Sequence, residues 1–350
     1  MPHELSFGAS LQPDSFDAML QQVTLLEKLG FDHVWVPDHL VFLEWGSWCF
    51  DAWCVLTGFA MNTTRIRLGA HSDPHRRHPA LLAQTISTLD SISNGRAILG
   101  LGVGEAQNLL PYGIPYDKKV ARMNECIEVM KKLWTGERAD FDGQFHKLRK
   151  AFIQALPVQK PHPPVYVAAN SPKTRELAGM SGDGWLAAMM SPKRYERDVT
   201  EITRAADRVG RRVEDLFALY LAPFSVSKDR DHAWRMIENL SKGQFIWYPE
   251  ELKNFGYSIT EEFDWRSLVV EPDTAQKIEA HLDEVPDEIA QEVSIFGTPD
   301  DCIEKIQRYI NAGVTEFEFF MQLKDKKKCE EMLEIASRKI MPYFKEKEDS

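Results

Sequence analysis

Arg65–Glu105 reads RIRLGAHSDPHRRHPALLAQTISTLDSISNGRAILGLGVGE, and its punctuation decides the fold. Arg65–His71 is a short, mostly apolar run that reads as a strand. A polar turn containing Pro74 follows, and Pro79–Ile92 then carries apolar residues near helical spacing. Asn94-Gly95 stops that helix, and Ala97–Val103 reads as the next strand. Strand, helix and strand in succession make one turn of a right-handed parallel crossover.

The same alternation continues in both directions. Upstream lie strand Glu4–Ser10, helix Phe16–Leu29, strand Asp32–Pro37 and helix Ala52–Met61. Downstream, the amphipathic helix Lys118–Trp134 is closed by Thr135-Gly136 and followed by a loop or hairpin at Ala139–Lys147. Strand Val165–Ala169, helix Pro172–Met180, strand Trp185–Met189, helix Lys193–Val209 and strand Leu216–Ser225 come next. Helix Pro299–Ala312, with Gly313 as its C-cap, leads into strand Glu316–Phe320.

About eight such units in 350 residues predict an α/β fold, a (β/α)8 TIM-type barrel with insertions. An open doubly wound sheet is the alternative. One domain is expected over 1–350, interrupted at about 244–292 by an irregular insertion. There FIWYPEELKNFGYSITEEFDW and EAHLDEVPDEIAQEV mix aromatics with acids, and either pack on the barrel or wall its mouth.

Composition narrows the function. Lys plus Arg number 42 against 53 Asp plus Glu, a net charge of −11, which argues against sequence-independent nucleic-acid binding. No apolar run is long enough to span a membrane, and the N-terminus lacks a secretory pattern. Cys49, Cys54, Cys126, Cys302 and Cys329 are scattered and odd in number, so reduced thiols and a cytoplasmic protein are expected.

Barrel chemistry resides just past the strand ends. Strand two ends in Asp38 and His39, strand three in His71, Asp73, His75 and His78, and strand four in Gly102, Val103, Gly104 and Glu105, with Asn108 close behind. Imidazole titrates near neutral pH, so His39 is a candidate general acid or base, with Glu105 as its partner on a neighbouring strand end. Each also has a purely structural reading, a strand-end histidine and a helix-capping acid. The three later histidines straddle a turn and a helix start, which does not favour a metal site, and none is expected. GLGVGE has Glu105 where a dinucleotide fingerprint needs its third glycine, so a Rossmann site is not expected. Asn170, Ser171, Lys173 and Thr174 open a helix after a strand and suit a phosphate, although Ser171-Pro172 is also an ordinary helix start.

The tract Arg65–Asn108, together with VWVPDHL, PVYVAANSPKTRELAGMSGDGWL and FGTPDDCIEKIQRYINAGVTEF, resembles the luciferase-like superfamily, and within it the group dependent on the deazaflavin coenzyme F420. The resemblance implies hydride transfer between C5 of the deazaflavin and a carbonyl, alcohol or imine-type small-molecule substrate. It implies His39 as the proton donor or acceptor and Glu105 as a glutamate near the ring. Asp38, Asp73, Val103, Gly104 and Asn108 are implied as cofactor contacts, and Asn170, Ser171, Lys173 and Thr174 as the phosphate-binding turn. A cis peptide backing the ring is implied at Ala70–His71, in a tract one residue shorter than usual. A homodimer or higher homo-oligomer is the family-level expectation. Two departures stand out: Ser10 and Gln12 replace a strand-one glutamate, and Phe42 or Trp45 must supply an aromatic residue found elsewhere in the family. The alternatives are an FMN-dependent monooxygenase of the same superfamily and a non-catalytic flavin- or deazaflavin-binding protein. The acidic chain also requires a basic approach for an anionic cofactor, for which Arg76, Arg77, Lys118, Lys119 and Arg122 are candidates.

Overall fold

The computed structural model describes residues 4–11, 14–42, 49–260, 269–321 and 325–348. Its strands are β1 (Ser6–Ser10), β2 (His33–Pro37), β3 (Arg67–Ser72), β4 (Ala97–Leu101), β5 (Ala139–Asp142), β6 (Lys147–Ala151), β7 (Val165–Ala168), β8 (Gly184–Ala188), β9 (Phe217–Val226), β10 (Ile295–Gly297) and β11 (Glu316–Phe320). Eight of them close in parallel in the order β1-β2-β3-β4-β7-β8-β9-β11, with β11 returning to β1 through Ser6 opposite Glu316. That is the (β/α)8 barrel rather than an open sheet. Strands β5 and β6 form the separate antiparallel hairpin, and β10 extends the end of β9.

Helices start where the chain supplies a cap. Ser171, Ser191 and Thr298 each accept a backbone N–H of the first turn and each precede a proline, which needs no partner at that position. The helix Pro79–Ile92 has the expected bounds, capped by the His78 side chain. Their apolar faces bury against the outer surface of the barrel, so the main core lies between the helix ring and the sheet. A second apolar cluster joins Trp234, Phe245, Ile246, Trp247, Leu252 and Val293, all within or flanking the region that breaks the period.

Alternate residues of each strand face the barrel axis. The lowest layer is polar: Arg67 Nη1 donates to Glu316 Oε1 at 2.9 Å, Ser6 Oγ to the same oxygen at 3.1 Å, and Arg67 Nη2 to the Tyr166 oxygen at 3.1 Å. Trp35, Ile98, Leu186 and Leu219 fill the middle. Only glycine fits at position 8, because a Cβ there would lie 2.0 Å from His33 Nδ1. The top layer changes character to His71, Gly100, Ala168, Ala188 and Leu221, mostly small side chains that leave the mouth open.

Two expectations need correcting. The one cis peptide among the described residues is Lys160–Pro161, so Ala70–His71 is trans. Both residues stay in register, with Val36 and Pro37 on one side and Leu99 and Gly100 on the other. A bulge requires an extra residue, and this tract lacks one. Regular structure also extends further than expected: helix Arg230–Trp247, capped by Asp229, runs past 244, and helix Pro249–Lys253 follows at once. No helix among the described residues is long and apolar enough to cross a membrane.

Candidate active site

The strand ends bring His39, Glu105 and Asn108 together at the mouth, where Tyr248 joins them from between two helices. His39 Nε2 lies 3.7 Å from Glu105 Oε2, and each side chain is about one-fifth exposed (21% and 22%). His39 Nδ1 is buried with no partner among the described residues. Glu105 is tightly held: Tyr248 donates to Oε1 at 2.6 Å, while the Gln107 amide and Asn108 Nδ2, the latter at 3.4 Å, reach Oε2. Asn108 Oδ1 in turn accepts the backbone N–H groups of Leu40 and Val41 at 2.7 and 3.0 Å. One asparagine thereby ties the loop carrying His39 to the loop carrying Glu105.

Tyr248 was not singled out from sequence. It lies between helices Arg230–Trp247 and Pro249–Lys253, inside the region that breaks the period, yet its hydroxyl meets Glu105, 143 residues away. Burial first, and then the Glu105 carboxylate, push that hydroxyl well above the ordinary phenol range, so it acts as a donor. Tyr248→Phe should cost about 1–2 kcal/mol, because one donor to a half-buried carboxylate is lost. Urea denaturation of the two proteins measures the difference, and an unchanged midpoint would show that the bond contributes nothing.

Asp38 and Asp73 are brought to the rim but are engaged by the protein itself. Asp38, 2% exposed, accepts from Ser72 Oγ at 2.6 Å, Arg77 Nη1 at 2.7 Å and Trp53 Nε1 at 3.2 Å, with Arg76 also paired to it. Asp73 caps the turn through His75 N–H and Arg76 N–H and receives Arg76 Nε. Arg76 and Arg77, expected as a basic approach, are therefore committed to Asp38, Asp51 and Asp73. Arg122 pairs with Asp117, and Lys119 lies over the Tyr116 ring.

The three histidines at the end of β3 and in the loop beyond it are divided among separate partners: His71 with Glu318, His75 with the Val103 carbonyl, and His78 with Ala80 N–H. At the other side of the mouth, Ser171 and Thr174 form a reciprocal capping box. Arg175 Nη1 and Arg194 Nη2 both donate to the Asn170 carbonyl, at 2.7 and 3.1 Å. Arg194 is also paired with Glu251, one turn beyond Tyr248. Phe42 lies 5.6 Å from His39, centroid to centroid, while Gln12 and Trp45 fall outside the described residues.

A parallel barrel whose mouth pairs an imidazole with a carboxylate, above a floor of glycine and alanine, is the setting of an enzyme that binds a flat organic cofactor or substrate. The chain belongs to the luciferase-like monooxygenase family, which it matches over residues 2–316. It is 30% identical to a 5,10-methylenetetrahydromethanopterin reductase of Archaeoglobus fulgidus, over 97% of this chain and 100% of that one. It is 29% identical to an F420-dependent glucose-6-phosphate dehydrogenase of Nocardia farcinica, over 98% of each. Its fold matches the coenzyme F420-dependent tetrahydromethanopterin reductase of Methanopyrus kandleri with a TM-score of 0.83 and 26% identity, over 97% of this chain and 99% of the other.

Proposed function

We propose that this chain is an F420-dependent oxidoreductase that moves a hydride between deazaflavin C5 and a carbonyl, alcohol or imine-type carbon of a small-molecule substrate. The observation that carries this reading is the full-length likeness to relatives named for F420 chemistry. The mouth fits such a group. The buried Nδ1 of His39 has no partner among the described residues, and the strand ends beside it carry the small residues Gly100, Gly102 and Ala168. His71, Val103 and Gly104 would hold the ring, with Asp38 and Asp73 bracing the loop beneath. Ala70 is instead buried in the core outside the barrel, and the Asn108 amide is committed to Leu40, Val41 and Glu105. Lys173 and the helix start at Asn170, Ser171 and Thr174 would face the anionic tail. When bound, the deazaflavin supplies a carbon centre that gives or takes two electrons as a hydride.

The protein then has to manage one proton. His39 exchanges it with the substrate oxygen or nitrogen, and its unpartnered Nδ1 leaves one ring nitrogen uncommitted. Glu105 faces the other nitrogen and balances the charge when the ring is protonated. Gln107, Asn108 and Tyr248 hold that carboxylate in place.

The family's description favours a second reading, an FMN-dependent monooxygenase. Titrating the protein with F420 and with FMN, followed by fluorescence, separates the two. Micromolar binding of F420 without FMN is expected. Retention of FMN with oxygen consumption would replace the first reading with the second, and binding of neither would reject both.

A further inference from the structure

Below His39 and Glu105, the top of the barrel holds a second imidazole–carboxylate pair. His71 Nε2 lies 2.8 Å from Glu318 Oε1, the Ser10 hydroxyl also donates to that oxygen, and Glu318 is wholly buried. Glu318 Oε2 is buried without a partner among the described residues. The His71 ring stacks on Trp35, with centroids 4.7 Å apart and planes 16° apart, and its side chain is 23% exposed. A carboxylate that takes Nε2–H leaves the lone pair on Nδ1. That nitrogen lies beside Gly100, where a Cβ would come within 3.2 Å of it, so the glycine keeps that edge clear.

Among the described residues, mostly uncharged side chains surround the pair at its own level. From β1 only Ser10 reaches it, and from β2 come Trp35 and the neutral-favouring His33, whose pKa burial lowers. Arg67 of β3 is already tied to Glu316 of β11 and to Tyr166 of β7, one layer below. Strands β4, β8 and β9 present Gly100, Ala188 and Leu221 at this level, with no charge. Glu318 is thus the one carboxylate directly bonded to His71 among the described residues.

We propose that His71 is a proton-accepting residue of the mouth, positioned by Glu318, that receives an acidic O–H or N–H of the deazaflavin ring bound there. The proton passes to Nδ1, the ligand atom keeps the electron pair, and the imidazolium so formed is balanced by Glu318. This inference rests on the F420 reading of the site.

The test has two parts. In ligand-free protein, the His71 ring is titrated by NMR, assigned by its loss in His71→Asn. Glu318→Gln should lower its midpoint, because a neighbouring opposite charge is removed. If Glu318→Gln does not fold, Ser10→Ala reads the same coupling with opposite sign, since the carboxylate becomes more basic. In the second part, F420 is titrated into wild type and His71→Asn, with affinity expected to fall about tenfold. A changed ionisation of the ring hydroxyl in the bound spectrum identifies the O–H as donor, and lost affinity without spectral change identifies the N–H. A midpoint unmoved by Glu318→Gln or Ser10→Ala, or equal affinity in His71→Asn, overturns the proposal. Failure of wild type to bind F420 rejects the functional reading instead, and leaves the first part to decide the pair.

Discussion

Replacing His39 by glutamine is expected to lower turnover by about 100- to 10,000-fold while leaving F420 affinity within about threefold. Glutamine keeps a polar tip near Glu105 but cannot carry a titrating proton, so the loss isolates proton exchange from binding. Stopped-flow absorbance of F420 with any substrate the wild type turns over measures the rate, and fluorescence titration measures the affinity. Glu105→Gln is the less clean experiment. Its new amide would face Gln107 Nε2 and Asn108 Nδ2, two donors that now meet Oε2, so geometry and charge change together. The double variant should lose little beyond His39→Gln alone, because residues acting as one unit are not additive. A His39→Gln enzyme within fivefold of wild type would remove His39 from the chemistry.

The barrel was legible because its signals are local. Apolar strand runs, helical spacing and Ser-Pro or Thr-Pro helix starts each lie within one short segment, and the observed elements fall within about two residues of the expected ones at most boundaries. His39 and Glu105 were also legible, since a strand-end position alone places a residue at the mouth. Tyr248 was not: its role depends on helix Arg230–Trp247 returning to Glu105, a contact across 143 positions with no local trace. Glu318 is a different case. The alternation of Glu316, Phe317, Glu318, Phe319 was readable as a strand, but the usual assignment puts acids in water and phenylalanines inward. In a closed barrel the phenylalanines pack under the helices and the acids face the axis, where Arg67 and His71 meet them. Asp38 marks the reverse limit. Its place at the rim was clear, but the two arginines, the serine and the tryptophan that enclose it arrive from two other segments, residues 72–77 and helix Ala52–Asn62.

That inward-facing acid layer makes Arg67 the position with the largest expected effect on stability. Arg67→Met should destabilise the protein by about 3 kcal/mol, the lower end of the cost of breaking a buried pair, because the Arg67 side chain retains 27% exposure. The cost lies in what is left behind: Glu316, 1% exposed, would keep Ser6 but lose its cationic partner. Burial raises the Glu316 carboxyl, and Arg67, with His33 and Tyr166, more than reverses this and holds it below the ordinary value. A depressed carboxyl stabilises the fold above the unfolded-chain value of about 4.3, and that contribution is lost as pH falls through the folded value. Without Arg67 the folded value rises instead, so the deficit should be largest near neutrality and shrink below about pH 4. Glu316→Gln in the same background should recover about 1–2 kcal/mol, since the stranded charge is then gone. Urea melts of the single and double variants at neutral and acid pH measure all three quantities. A deficit independent of pH, or no recovery in the double variant, would mean that Arg67 acts through packing on Phe217, 5.1 Å from its guanidinium carbon, rather than through its charge.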